Sequence, residues 1–338
     1  MASKRHHYVP RFYLNYFVTN SVERSPRFWV YDKAGGPPRI QTPINTAVEG
    51  YLYSFEAPLG TKNDSLEQAL STLETKAKPV LDRWQRRGVT ATQEEQKLIA
   101  EFLAVMYSRS PKTIQGITEA SGIMGIELAR FLADQPDMIR EFLDRERTRG
   151  RPNVPSVEEM VDNLRNVEER FEIEVNRESS LIDSFRLAER IAAELFYMNW
   201  CLCYAPTRTF FVTSDTPLCI FARTSRDKAL LGAGVGLPNA IVTFPISPNV
   251  CLLLDRRHTN ARMAVGKQFV RAANHRMVAN AERLIISAYT SETIANLVHK
   301  YSFTRQLPKI DRSTLGTIYQ QRLRARSSNT ARKIVTPK

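Results

Sequence analysis

Residues 198–223 read MNWCLCYAPTRTFFVTSDTPLCIFAR, and the change of period at their start decides the fold. Up to Tyr197 the apolar residues recur at helical spacing. From Met198 they come in short continuous or alternating runs closed by Pro, Ser, Asp or Arg, which is how buried strands read. The same signal continues in AIVTFPIS (240–247) and NVCLLLD (249–255), and LIISAY (284–289) is one more strand between helical patterns at 267–282 and 291–302.

The other end of the chain is β-rich as well. RFWVY (27–31) reads as a strand closed by the turn-rich DKAGGPP, and IQTPINTAVEG and YLYSFE (40–56) continue in extended form. Helical patterns fill the middle at about 65–87, 93–109, 113–133, 136–148, 156–176 and 179–197. Ser65-Leu-Glu-Gln68 and Thr92-Gln-Glu-Glu95 have the spacing of a capping box at the first two starts. Strands, helices, then strands and helix predict an α+β protein. The expected architecture is a mixed β-sheet built from N-terminal and C-terminal strands, with a central helical block at about 65–197. Residues 1–302 read as a single domain. Arg149-Gly-Arg-Pro-Asn153 reads as a linker between helices.

With 338 residues, 43% of them hydrophobic and 25% charged, the chain has ample material for a core and is not a disordered one. No apolar run approaches the ~20 residues of a membrane helix, and MASKRHHYVPRF lacks a signal-peptide core. Four Cys are too few for a secreted disulfide scaffold, so the expectation is a soluble cytoplasmic protein with no membrane partner. Oligomeric state is not legible.

The net charge of +13 is unevenly spread. Residues 303–338 hold nine Lys and Arg against Asp311 alone, and residues 1–11 hold three against none, so the ends carry +11 and residues 12–302 carry +2. Arg322, Arg324 and Arg326 lie in a stretch, 312–326, whose apolar spacing predicts a short helix; disorder is expected from Ser327 onward. Such a basic arm suits nucleic acid held through its phosphates, and equally a solvated tail that keeps the protein soluble.

Several residues carry candidate chemistry. His6 and His7 stand beside Tyr8 and Arg11, where an imidazole can move a proton or bind a metal. A His-Asn-His nuclease finger would need another His tens of residues on, and none follows before His258. Glu74-Thr-Lys76 has the layout of a restriction-type nuclease but falls in a helix, where i and i+2 do not face one another; a solvated face explains it better. Ser214-Asp215 closes an apolar strand before Pro217, and Asp255 closes another. Asp215 is the candidate metal ligand or water-activating group, the alternative being that Ser214 and Asp215 cap a turn by accepting backbone N–H groups; paired strand-end carboxylates could share a cation such as Mg²⁺. Arg109 could clamp a phosphate bidentately, and Asn274 is a polar candidate on a late helix. Cys201-x-Cys203 is read as two thiols on opposite faces of a strand, which argues against a zinc knuckle. No phosphate-binding P-loop, dinucleotide fingerprint or nucleophile elbow is present.

HHYVPRFYLNYF, NTAVEGYLYSFE, SRSP, FVTSDTPL, VTFPISPNVCLLL and ANHRMVANAERLIISA, in that order over roughly residues 6–290, together resemble the bacterial family known as domain of unknown function 4238. The resemblance singles out His6 or His7, Tyr8, Pro10, Tyr13, Leu14, Arg109, Ser214, Asp215, Pro217, Pro248 and Asn274 by position. It implies no activity. The residues themselves suggest an enzyme acting on nucleic acid or a nucleotide, a metal-assisted phosphodiesterase or nuclease in a defence or mobile-element setting. In that reading His6 or His7 moves the proton, Arg109 steadies phosphate charge, and Tyr8, Arg11, Ser214 and Asn274 bind. The alternative is a non-catalytic adaptor that binds nucleic acid through residues 303–338.

Overall fold

The computed structural model describes residues 5–19, 26–50, 52–53, 55–56, 62–63, 65–86, 89–171, 174–223, 229–231, 234–257 and 261–302. The basic segment 303–338, with the helix expected at 312–326, and His258 lie outside them.

The chain starts with β1 (Arg5–His7) and the single turn α1 (Arg11–Leu14), followed by β2 (Phe28–Asp32), β3 (Arg39–Gln41), β4 (Val48–Gly50), β5 (Phe55–Glu56) and β6 (Lys62–Asn63). Seven helices follow: α2 (Ser65–Trp84), α3 (Gln93–Ser108), α4 (Pro111–Ala133), α5 (Pro136–Thr148), α6 (Val157–Arg165), α7 (Val167–Arg170) and α8 (Arg177–Phe196). Then come β7 (Asn199–Tyr204), β8 (Thr213–Ser214), β9 (Cys219–Arg223), β10 (Ala229–Leu231), β11 (Ala240–Ser247), β12 (Val250–Asp255) and β13 (Ala261–Ala264). α9 (Lys267–Asn280), β14 (Leu284–Ser287) and α10 (Glu292–Tyr301) end the described chain. The protein is α+β.

N-terminal and C-terminal strands do combine, in an antiparallel four-stranded sheet of order β3-β2-β14-β8. A six-stranded sheet, β10-β9-β11-β12-β7-β13, is built from C-terminal strands alone and is mixed, because β13 runs parallel to β7. The helix expected over 156–176 breaks at Asn166, and of TFFVTSD only Thr213–Ser214 pairs as strand. Cys201 and Cys203 correct the sequence reading. Residues i and i+2 of a strand share a face, and the two sulfurs lie 3.9 Å apart as buried free thiols.

The described residues form two compact units, 5–114 with 181–302, and 115–180. In the second, Ile139 and Leu143 of α5 are buried and Ser156 caps α6 by accepting the N–H of Glu159. Gly150 ends α5 with φ +74°, a left-handed turn that a residue with a Cβ adopts only under strain, so 149–153 is a helix-to-helix connection. In the first unit, the capping box of α3 is formed as its spacing predicts: Thr92 Oγ1 accepts from Glu95 N–H, and the Glu95 carboxylate accepts from Thr92 N–H. Among the described residues no helix is long and apolar enough to cross a membrane.

Tyr13 fixes the N-terminal segment onto this core. Its side chain is fully buried and its ring stacks on Phe244 with centroids 4.9 Å apart. The phenol donates to the carbonyl of Pro245 at 2.7 Å and lies 2.6 Å from Thr213 Oγ1. Each of those groups is buried, so a misplaced Tyr13 would leave polar atoms unsatisfied. One turn of helix after Pro10 thereby holds β1, and with it both histidines, in place.

Candidate active site

β1 pairs with β4 in the register His6 to Glu49 and His7 to Val48. Beside it lies a cleft of about 610 Å³, whose walls include Arg5, His6, His7 and Arg11 from the N-terminal segment, Tyr53, and Arg109 at the end of α3. The facing wall is one side of α2: Glu67, Leu70, Ser71, Glu74, Thr75 and Lys78 recur at the three- and four-residue steps of a helix face.

His6 is 1% exposed. Its Nδ1 accepts the backbone N–H of Tyr53 at 2.9 Å, and the two rings stack at 5.5 Å with planes 9° apart. An accepting Nδ1 carries no proton, so the ring N–H is at Nε2. That atom faces Glu67 Oε2 at 3.1 Å. Arg109 is 2% exposed; its Nε donates to the carbonyl of Tyr8 at 3.1 Å and its Nη2 lies 2.8 Å from Glu74 Oε1. The phenol of Tyr53 donates to the Arg109 carbonyl at 3.0 Å, so one residue braces the His6 ring and the Arg109 backbone. His7 Nε2 is buried too. Burial, then the charges of Arg11 and Arg5, lower the His7 pKa, against the pull of the Ile44 and Pro43 carbonyls.

Among the described residues, three buried nitrogens in this cleft, His6 Nε2, His7 Nε2 and Arg109 Nη2, have no well-aligned hydrogen-bond acceptor; the two carboxylate contacts have the distance of an ion pair but not the angle of a hydrogen bond. Leaving such a group unsatisfied costs about 1–3 kcal/mol. All three lie along one cleft, and a group bringing several acceptor atoms would satisfy them together.

The other sequence candidates go elsewhere. Asp215 is 2% exposed and borders a second cleft of about 360 Å³, with Tyr8, Arg39, Glu49, Glu282 and Arg283 among its walls. Its Oδ1 accepts from Glu282 N–H at 2.9 Å, and its Oδ2 accepts from Arg283 and Leu284 N–H, each at 2.7 Å. Burial nonetheless pushes its pKa up to about 6, against those three bonds. Its oxygens organise the turn into β14, which corrects the expectation of a metal ligand sharing a cleft with the histidines. Asp255 closes a strand of the other sheet, where its Oδ1 accepts from Arg257 N–H at 3.1 Å, so the two strand-end carboxylates do not form a pair.

Ser214 Oγ accepts from Thr216 N–H, and its hydroxyl faces Met277 Sδ at 3.2 Å. Asn274 brackets an extended segment, accepting from Val212 N–H at 3.0 Å and donating to Phe210 O at 2.8 Å. Both are satisfied buried groups. Among the described residues no three His, Cys, Asp or Glu side chains are grouped as a metal ion would require.

The structure thus gathers His6, His7, Arg11 and Arg109, places Tyr8 and Asp215 on the neighbouring cleft, and leaves Asn274 on neither. Sequence reasoning missed Glu67 and set Glu74 aside as part of a solvated face; both are partly buried. Their signal was the i, i+7 spacing that puts them on one helix face with Leu70. A family model described as "Protein of unknown function (DUF4238)" matches residues 5–291. No curated protein and no solved structure matches the chain.

Proposed function

The chain belongs to the DUF4238 family, whose description assigns no activity, and from the geometry of the cleft we propose that it is an enzyme acting on phosphodiesters of nucleic acid or nucleotides. The observation that carries this reading is the convergence of three buried, poorly satisfied nitrogens from His6, His7 and Arg109. Arg5, Arg11 and Lys78 line the same cleft. A phosphate group supplies several acceptor oxygens and negative charge at once, which is what buried imidazole and guanidinium nitrogens need. The His6–Glu67 contact and His7 supply groups able to move protons, and Arg109 steadies charge on the phosphate. The four cysteines, all buried free thiols, suit a reducing cytoplasm.

The test is fluorescence anisotropy and digestion with labelled DNA and RNA. Arg11→Ala and Lys78→Ala should weaken binding and flatten its salt dependence, with a slope change of about 0.7–0.9 per lost phosphate contact. Lys76→Ala, exposed on the other side of α2, should do neither. Equal affinity for all four proteins sinks the reading. The concentration of +8 on residues 303–338 favours a second reading, a non-catalytic nucleic-acid adaptor. Deletion of that segment decides: loss of all binding, with no turnover by the full chain, supports the adaptor.

A further inference from the structure

A phosphodiester can be attacked by water or by a hydroxyl of the substrate itself, and the cleft's donor set distinguishes them. Water attack on these esters is commonly organised by divalent ions held on free carboxylates. Here Glu67 and Glu74 each already face a buried nitrogen base or cation, His6 at 3.1 Å and Arg109 at 2.8 Å. An adjacent ribose 2′-hydroxyl needs no such assembly. It arrives with the substrate, and intramolecular attack carries an effective molarity of about 10⁵–10⁸ M. What it needs is a base, an acid and positive charge beside the phosphate, all of which this cleft holds.

We propose that the cleft cleaves RNA through attack of the 2′-hydroxyl on the adjoining phosphate, with Glu67 as base and His7 as acid. This rests on the phosphodiester reading above. Glu67 takes the proton of the 2′-hydroxyl as O2′ bonds to phosphorus. The P–O5′ bond breaks, its electron pair goes to O5′, and His7 Nε2 protonates that oxygen. The products are a 2′,3′-cyclic phosphate and a 5′-hydroxyl end. Exchange with solvent removes the proton from Glu67 and restores the one on His7, and no co-reactant is consumed.

The tautomer of His6 separates its part from that of His7. With Nδ1 committed to the Tyr53 N–H, His6 presents a fixed Nε2–H toward Glu67 and acts as a positioning residue for the base. His7 lies on the same cleft wall as Arg5 and Arg11; burial first, and then their charges, lower its pKa and make its protonated form the readier donor. Arg109 Nη2 takes the charge that develops on the phosphate oxygens.

The experiment uses the full chain in EDTA with three oligonucleotides: DNA carrying one embedded ribonucleotide, the same with a 2′-O-methyl group at that sugar, and all-DNA. Cleavage of the first alone, with a cyclic phosphate and a 5′-hydroxyl by mass spectrometry, is expected. Glu67→Gln and His7→Ala should each lower its single-turnover rate by about 10²–10⁴-fold at unchanged affinity. The substrate comparison needs no variant, so a folding defect cannot obscure it. Equal cleavage of all three oligonucleotides, a 5′-phosphate product, or cleavage abolished by EDTA would overturn 2′-hydroxyl attack and keep the phosphodiester reading. No cleavage of any substrate, with or without Mg²⁺, overturns both.

Discussion

The backbone N–H of Tyr53 donates to Nδ1 of His6 at 2.9 Å, while the phenol of the same residue reaches the carbonyl of Arg109 at 3.0 Å. One residue therefore sets which nitrogen of His6 carries the proton and braces the end of the helix that delivers Arg109. The two functions separate by substitution. Tyr53→Phe removes the phenol bond and leaves the backbone one, so it should cost about 0.5–1.5 kcal/mol of stability. The His6 tautomer should be unaltered. Nitrogen NMR of the imidazole checks the second point: Nδ1 should stay unprotonated in both proteins, and protonation there in either would break the argument.

Glu74 and Lys76 lie two residues apart on α2 with opposite fates. Glu74 turns inward against buried Arg109, while Lys76 is exposed. Glu74→Gln should cost about 1–3 kcal/mol, because it leaves a buried guanidinium without its counter-charge. The effect stays below that of a fully buried pair because Glu74 is itself 26% exposed. Lys76→Ala should stay within about 0.5 kcal/mol of the parent. Urea melts of the two variants make the comparison, and equal losses would mean that the Glu74–Arg109 contact carries no weight.

The contrast between Glu67 and Glu74, one unnoticed and one discounted, and the residues found from sequence shows what was legible. Period 3.6 against short alternating runs places α2 to α5 and β7, β9, β11 and β12 within a few residues, because burial of an apolar stripe or face is written directly in the order of side chains. The thirteen-residue α5 and the capping box of α3 follow from the same local rules. His6, His7 and Arg109 stood out as unusual residue types in their settings. Glu67 did not, and Glu74 was assigned to a solvated face, since a helix face lining a polar cleft has the composition of one facing water. Asp215 could be read either way for the converse reason: a Ser-Asp pair ending a strand looks the same whether it meets a substrate or three backbone N–H groups.

Asp215 makes stability depend on pH in an uncommon direction. Its folded pKa, pushed up to about 6, lies above the ordinary aspartate value near 3.9. Between those values the folded state binds more protons than the unfolded one, so this group's contribution falls as pH rises through the window and is largest below it. Asp32 works the other way, its pKa lowered against burial by Arg283, Ala34 N–H and Arg39, and its contribution is lost as pH falls below the usual carboxylate range. Asp215→Asn should remove the falling slope between about pH 4 and 6. The same change should lower stability by about 1–3 kcal/mol, since an amide cannot accept all three N–H bonds. Melting curves of both proteins from pH 4 to 7 test this, and parallel profiles would show that Asp215 does not titrate there.

Asn274 offers the cleanest separation of structure from chemistry. Its amide closes both the N–H of Val212 and the carbonyl of Phe210, and it lines neither cleft. Removing it in Asn274→Ala leaves two backbone groups to find water in a buried place, at about 1–3 kcal/mol each. The melting temperature should fall, while turnover per folded molecule at a temperature well below it should match the parent. His7→Ala should show the opposite pattern, because His7 lies on the cleft wall and its Nε2 has no well-aligned bond to lose among the described residues. Plotting activity loss against stability loss for the pair puts them on different axes. A proportional loss of both quantities in both variants would mean that the cleft is a packing feature and that its chemistry has been misassigned.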